Sequence, residues 1–220
     1  MKLVLASGSQ RRRELLTMCG YDYEIIVSNA DETIDENDPE SFVRALSFRK
    51  AKEVFDRLFA AGRRDFAVIG SDTVVAFQKD GETKPVIIGK PKDAEDAVRI
   101  LSMLSGKTHR VFTGVSVIAD IPDENAAAQC SIREKAEIQT ECSITEVTFE
   151  TLSPDEITDY VNSGDPLDKA GSYGIQGPFG MFVREIQGNY FTVIGMPIPV
   201  LYKMLKKRGI LPHGFYERIE

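Results

Sequence analysis

The 220-residue chain has no tryptophan, only two histidines and three cysteines, and no long uninterrupted run of apolar residues. Each shortage excludes something. Cys19, Cys130 and Cys142 have neither the even count nor the spacing of a disulfide framework or a zinc site. That usage fits a reducing compartment and predicts a cytoplasmic protein. His109 and His213 stand alone in the chain, so neither a serine–histidine–acid triad nor a histidine pair for a metal is supported. His109, beside a strand start, reads as structural. No segment approaches the roughly 18 apolar residues of a membrane helix, and the N-terminus lacks the apolar core of a signal peptide. A membrane partner is therefore not expected. A basic surplus is missing too: 27 Lys and Arg face 34 Asp and Glu, a net charge of −7. A general nucleic-acid binder would show the opposite balance. Any anion bound here must meet a local cluster of cations.

What is present is an ordinary globular composition, 42% hydrophobic and 28% charged. Leu3-Val-Leu5 reads as a buried strand, and after Ser7-Gly-Ser9 a helix from Arg11 to about Gly20 carries three arginines in its first turn. Tyr23–Val27 alternates as a strand, and an acidic loop leads to Pro39, which opens a helix to Ala61. Phe66–Ile69 is an apolar strand that runs into Gly70-Ser-Asp-Thr73 and resumes at Val74–Phe77. Further helices are expected over Ala94–Leu104, from Ser153 to Asn162, and over Pro199–Arg208, with strands at Arg110–Ile118 and Lys135–Phe149. Residues 120–140 are expected as an exposed insertion. The Gly-rich stretch from Asp165 to Gly180 reads as a long functional loop, and Phe182–Ile186 with Tyr190–Ile194 as a hairpin. The class is α/β with a mixed sheet. No linker or repeat divides the chain, so residues 1–220 are read as one domain.

The arginine helix permits two readings. It is either the solvated start of a surface helix or a polyanion site, where free backbone N–H groups and bidentate guanidinium groups favour phosphate. Asp72, in Gly-Ser-Asp-Thr at the end of an apolar strand, reads either as a turn aspartate or as a base or hard-cation ligand. Glu32, in the acidic loop, is a candidate second ligand. Lys50, Lys90 and Lys169 are single lysines, the last two in constrained loops. Gly106-Lys-Thr108 is not a P-loop, because Leu101 stands where that motif needs glycine. Nor do Gly171, Gly174, Gly177 and Gly180, spaced every third residue, form a dinucleotide fingerprint. Cations and carboxylates in separate loops, without an activated nucleophile, suit phosphoryl chemistry.

Leu5-Ala-Ser-Gly-Ser-Gln-Arg-Arg-Arg-Glu-Leu-Leu16, Gly70-Ser-Asp-Thr-Val-Val75, Gly89-Lys-Pro91, Leu104-Ser-Gly-Lys-Thr-His-Arg-Val-Phe-Thr-Gly114 and Asp168-Lys-Ala-Gly-Ser-Tyr-Gly-Ile-Gln-Gly177 together resemble the Maf (septum formation inhibitor) family. The resemblance runs from about Lys2 to Gly209. It implies a long mixed sheet with flanking helices and two lobes around a cleft, as in inosine triphosphate pyrophosphatases. It implies hydrolysis of a nucleoside triphosphate to the monophosphate and pyrophosphate with a divalent cation, Mg²⁺ or Mn²⁺, on Asp72 and Glu32. Ser7, Ser9, Arg11, Arg12, Lys50, Thr73, Lys90, Lys169 and Gln176 would then contact substrate, with Asp72, Lys90 and Arg12 catalytic. Arg11, Thr73 and Gln176 resemble the dTTP/UTP branch, and a glutamine amide donates and accepts at once, as the imide edge of uracil or thymine requires. The resemblance allows a homodimer and modified pyrimidine nucleotides as substrates. The family's name also carries the alternative of a non-catalytic nucleotide- or nucleic-acid-binding regulator of cell division. Gln10 departs from the proline usual at that position.

Overall fold

The computed structural model describes residues 1–79, 81–120 and 136–214. In chain order these form β1 (Lys2–Leu5), α1 (Gln10–Met18), β2 (Glu24–Ile25), α2 (Pro39–Ala60), β3 (Phe66–Phe77), β4 (Val86–Ile88), α3 (Ala94–Leu104) and β5 (Thr108–Asp120). Then come β6 (Ala136–Phe149), α4 (Pro154–Asn162), β7 (Val183–Gln187), α5 (Tyr190–Ile194) and α6 (Ile198–Lys206). The strands make one mixed sheet in the order β2-β1-β3-β5-β6-β7, with β4 also pairing β3. β1 runs parallel to β3 and β2, while β3, β5, β6 and β7 are antiparallel in succession.

The register of β3 makes the cleft. Along one edge it pairs continuously with β5, from Ala67 to Ala76. Along the other, β1 covers Phe66–Ile69 and β4 covers Val75–Phe77. Between them, residues 70–74 have no strand partner on that edge among the described residues. The sequence expectation of two strands broken at Gly70–Thr73 is thereby corrected. The strand is unbroken because β5 supplies the ladder throughout, and Asp72 sits in its middle rather than at its end.

Side chains alternate across β3. Phe66 and Val68 face α2, packing with Ala51, Val54 and Phe55. Ala67 and Ile69 face α1 and α6 through Leu15, Leu16, Leu201 and Leu205. Past the gap, Val75 and Phe77 join a second core on that same face, built on α3 and α4 with Ile100, Leu101, Leu104 and Ile157. The two cores flank the open edge as two lobes. On the opposite face α2 crosses unusually close to the sheet. A Cβ at Gly70 would stand 2.2 Å from the Ser47 carbonyl oxygen, and one at Gly114 2.2 Å from that of Val43. Only glycine admits this approach.

Local signals set the helix starts. Asp38 caps α2 through the Ser41 amide, with Pro39 in the first turn. Ser153 and Glu156 form a capping box on α4. Three expectations fail. Tyr23–Val27 contributes only Glu24–Ile25 to the sheet, as an exposed edge. Tyr190–Ile194 is a short helix, not the second arm of a hairpin, because Asn189 caps it through the Phe191 amide. The stretch from Asp165 to Gly180 is not a plain loop but holds 3-10 turns at Asp165–Asp168, Ala170–Ser172 and from Pro178 onward. Of the insertion expected at 120–140, Asp120 and residues 136–140 belong to β5 and β6, and 121–135 lie outside the described residues.

Gly114→Ala is expected to destabilise the protein by about 1–3 kcal/mol, the usual range for overpacking. Thermal unfolding measures this, and an unchanged Tm would contradict the close approach of α2.

Candidate active site

A cleft of about 1230 Å³ opens along the unpaired edge of β3. Ser7, Ser9, Arg11, Arg12, Glu32, Lys50, Asp72, Thr73, Lys90, Lys169 and Gln176 all line it. Residues from six separate stretches of sequence thus reach one surface.

The centre is an ion pair. Asp72 points to the α2 face, and the near passage of α2 brings Lys50 Nζ to 2.7 Å from Asp72 Oδ1, each side chain only 12% exposed. Glu32, 64% exposed, reaches the same ammonium at 3.0 Å. Asp72 Oδ2 has no hydrogen-bond partner among the described residues, so one carboxylate oxygen is anchored and the other faces the cleft.

Arg12 enters from the opposite face. Its Nε donates to the Gly195 carbonyl at 2.8 Å, and its two terminal nitrogens reach Ser7 Oγ and Thr73 Oγ1, each at 3.3 Å. Burial lowers the Arg12 pKa from its ordinary value, against the opposing pull of Asp72. Thr73 Oγ1 lies 3.1 Å from Thr113 Oγ1, which donates to the Thr192 carbonyl. Ser71 Oγ is within hydrogen-bond distance of the Gly114 and Gly195 carbonyls, at 2.9 and 3.0 Å. The arginine is therefore held in position before any ligand arrives. α1 has no side-chain cap and no acid in its first turn, so its N-terminal amides favour an anion. Arg13 turns away, donating to the Gly8 carbonyl at 3.2 Å.

The remaining cations differ in freedom. Lys90 is exposed on the cleft wall and has no ion-pair partner among the described residues. Arg11 bridges the cleft to Asp168 at 3.3 Å. Lys169 is fully occupied: Nζ lies 2.5 Å from the Asp165 carbonyl, 3.0 Å from Asp165 Oδ1 and 2.7 Å from Asp168 Oδ1. An ammonium has three protons to donate. Lys169 therefore lines the cleft tied to Asp165 and Asp168. Burial pushes the Asp168 carboxyl up, but the pulls of Lys169 and Arg11 outweigh it and leave the group below the usual carboxylate range.

Gln176 is exposed on the turn that Gly177 closes by donating its amide to the Gly174 carbonyl. That turn hangs from α4. The Gly174 amide donates to Tyr160 Oη at 3.0 Å, and the hydroxyl donates to Asp165 Oδ2 at 2.5 Å. Sequence reasoning missed Ser71, Thr113, Tyr160, Asp165 and the Gly195 carbonyl. The available signal was weak: Asp165 and Asp168 stand four and one residues before Lys169, a spacing that lets both reach one ammonium.

His109 stays out of the cleft, as expected. It is 2% exposed among Phe149 and Tyr173, with Nε2 3.0 Å from Tyr173 Oη. Burial depresses its pKa from 6.5 to about 3.

A mixed sheet with one strand edge left open, over which arginines and lysines converge on a buried carboxylate, defines an α/β protein built around a charged cleft. The family model described as Maf-like protein matches residues 2–208, and the chain belongs to the Maf family. A relative from Agathobacter rectalis named dTTP/UTP pyrophosphatase is 41% identical over 217 residues, covering 95% of this chain and 98% of its own. One of the same name from Bacillus thuringiensis subsp. konkukian is 43% identical over 210 residues, covering 95% and 96%. Among solved structures, the Ham1 protein of Staphylococcus aureus aligns with 94% of this chain and 100% of its own, at a TM-score of 0.48 and 16% identity.

The buried histidine makes stability pH-dependent. Between pH 6.5 and about 3 the unfolded chain binds a proton at this position that the native chain does not. Stability therefore falls with pH in that window, by up to about 1.4 kcal/mol per unit. His109→Gln is expected to flatten the slope between pH 7 and 5 in thermal unfolding. Parallel slopes in the two proteins would show that His109 is not the group responsible.

Proposed function

We propose that this protein is a nucleoside triphosphate pyrophosphatase acting on dTTP and UTP. The observation that carries the reading is the convergence of Arg11, Arg12, Lys50 and Lys90 on one cleft around Asp72. Four cations suit a triphosphate, whose hydrolysis depends mainly on positioning and charge neutralisation. The names of the relatives support the substrate. Cysteine usage supports a cytoplasmic site of action, and among the described residues no helix is long and apolar enough to cross a membrane.

The donor chemistry fits a divalent cation. Asp72 and Glu32 present carboxylate oxygens to a common centre at Lys50 Nζ, and Mg²⁺ is commonly held by one or two carboxylates together with substrate phosphates. The described residues contain no group of three or more His, Cys, Asp and Glu that would cage a metal without phosphate. Asp72 and Glu32 would hold Mg²⁺ or Mn²⁺, which when bound supplies further neutralisation of the phosphate oxygens.

The chain's own residues account for the rest. Ser7, Ser9 and the amides opening α1 orient the phosphates, with Arg11 and Arg12 flanking them. Lys50 fixes the Asp72 carboxylate so that Oδ2 meets a water. That water's oxygen attacks the α-phosphorus as its proton passes to Asp72, and the bond from the α-phosphorus to the bridging oxygen breaks. Lys90 and Arg12 neutralise the charge that develops on the departing pyrophosphate. Thr73 holds Arg12 at the required angle. The Gln176 amide pairs with the imide of the base.

Asp72→Asn keeps the side chain's shape but removes the base. We expect it to remain folded and to lose about two to four orders of magnitude in pyrophosphate release, and near-normal turnover would remove Asp72 from this role. The same assay on the unaltered protein separates a catalyst from a non-catalytic binder. Gln176→Glu replaces the amide donor with an acceptor. It is expected to lower kcat/KM for UTP and dTTP by about tenfold or more relative to 7-methyl-GTP, and unchanged ratios would end the proposed pairing.

A further inference from the structure

The Tyr160 hydroxyl has no evident task in the core it occupies. Tyr160 is 6% exposed in the apolar cluster beneath α3 and α4, with its ring 4.8 Å from that of Phe179. A phenylalanine would fill the same space. Both hydrogen bonds of the hydroxyl go instead to the Gly-rich arm: it accepts from the Gly174 amide and donates to Asp165. Asp165 passes the connection to Lys169, whose stem leaves no room beside Gly174. A Cβ there would lie 2.6 Å from Lys169 Cε. Lys169 in turn holds Asp168, which reaches Arg11 across the cleft. Gln176 follows Gly174 by two residues and makes no hydrogen bond of its own among the described residues. The placement of its amide therefore depends on how firmly Gly174 is seated.

We propose that Tyr160 is a positioning residue for base selection: its hydroxyl, through the Gly174 amide and Asp165, fixes the turn that presents Gln176 to the nucleobase. This deepens the reading of Gln176 given above and rests on it. The hydroxyl's two partners, Asp165 and the Gly174 amide, belong to the arm that carries Gln176, so it acts on recognition rather than on the chemical step. Small misplacements of a recognition group weaken binding strongly, because a directional hydrogen bond is lost with its geometry.

The test is Tyr160→Phe, which retains the ring and removes only the oxygen, with Asp165→Asn as a second variant in the same chain of contacts. Leu104→Val serves as a control that perturbs the same apolar cluster from α3, outside the Asp165–Gly180 stretch. Steady-state kinetics on UTP, dTTP and 7-methyl-GTP are combined with thermal unfolding. Tyr160→Phe is expected to raise KM for UTP and dTTP about tenfold, with kcat within about twofold, and to reduce selectivity over 7-methyl-GTP to match. Asp165→Asn shifts KM in the same direction, and Leu104→Val lowers Tm with selectivity intact. If Tyr160→Phe is too unstable to assay, Asp165→Asn decides. Wild-type KM and selectivity in the variant that is read, whatever its Tm, would overturn the proposal while leaving the proposed activity standing. Failure of the unaltered protein to release pyrophosphate from UTP or dTTP would overturn both.

Discussion

An unpaired strand edge in the middle of a sheet is the constraint from which this structure follows. Backbone amides and carbonyls must find partners or water, and along one edge a five-residue stretch of β3 has no strand neighbour among the described residues, because β1 stops short and β4 starts late. The stretch is kept in register from its other side by β5. Asp72, Thr73 and Val74 of this stretch line the cleft, so what would be a liability becomes its floor. Side chains from both faces of the sheet, Asp72 from one and Thr73 from the other, then reach the same opening.

Charge is arranged around that floor in a graded way. Lys50 is tied to Asp72 in a nearly buried pair, where loss of either partner would strand the other charge. Arg12 is fixed by neutral oxygens, which orient it without cancelling its charge. Arg11 is held by an exposed carboxylate in an ion pair of small net worth, easily surrendered to a phosphate. Lys90 has no ion-pair partner among the described residues. The cations thus range from structural to available, and carboxylates share the cleft lining with them.

The cleft residues were legible in the sequence because each sits in a short, unusual string: the arginines behind Ser7-Gly-Ser9, Asp72 within a polar break in an apolar run, Lys90 between glycine and proline. Their convergence was not, since it depends on register and on the glycines that let α2 close on the sheet. Asp72 was expected at a strand end because Gly70-Ser-Asp-Thr73 interrupts apolar alternation. The strand survives because Ser71 and Thr73 satisfy their hydroxyls internally. Tyr190–Ile194 has a strand-like composition, yet Asn189 and the surrounding packing turn it into a helix, context overriding propensity. For Lys169, nothing in the string Asp165-Pro-Leu-Asp-Lys169 states that both acids fold back onto it.

Two strands, β3 and β5, pass beneath both cores without interruption. The two walls of the opening therefore share one backbone scaffold, held in a single ladder from Ala67 to Ala76.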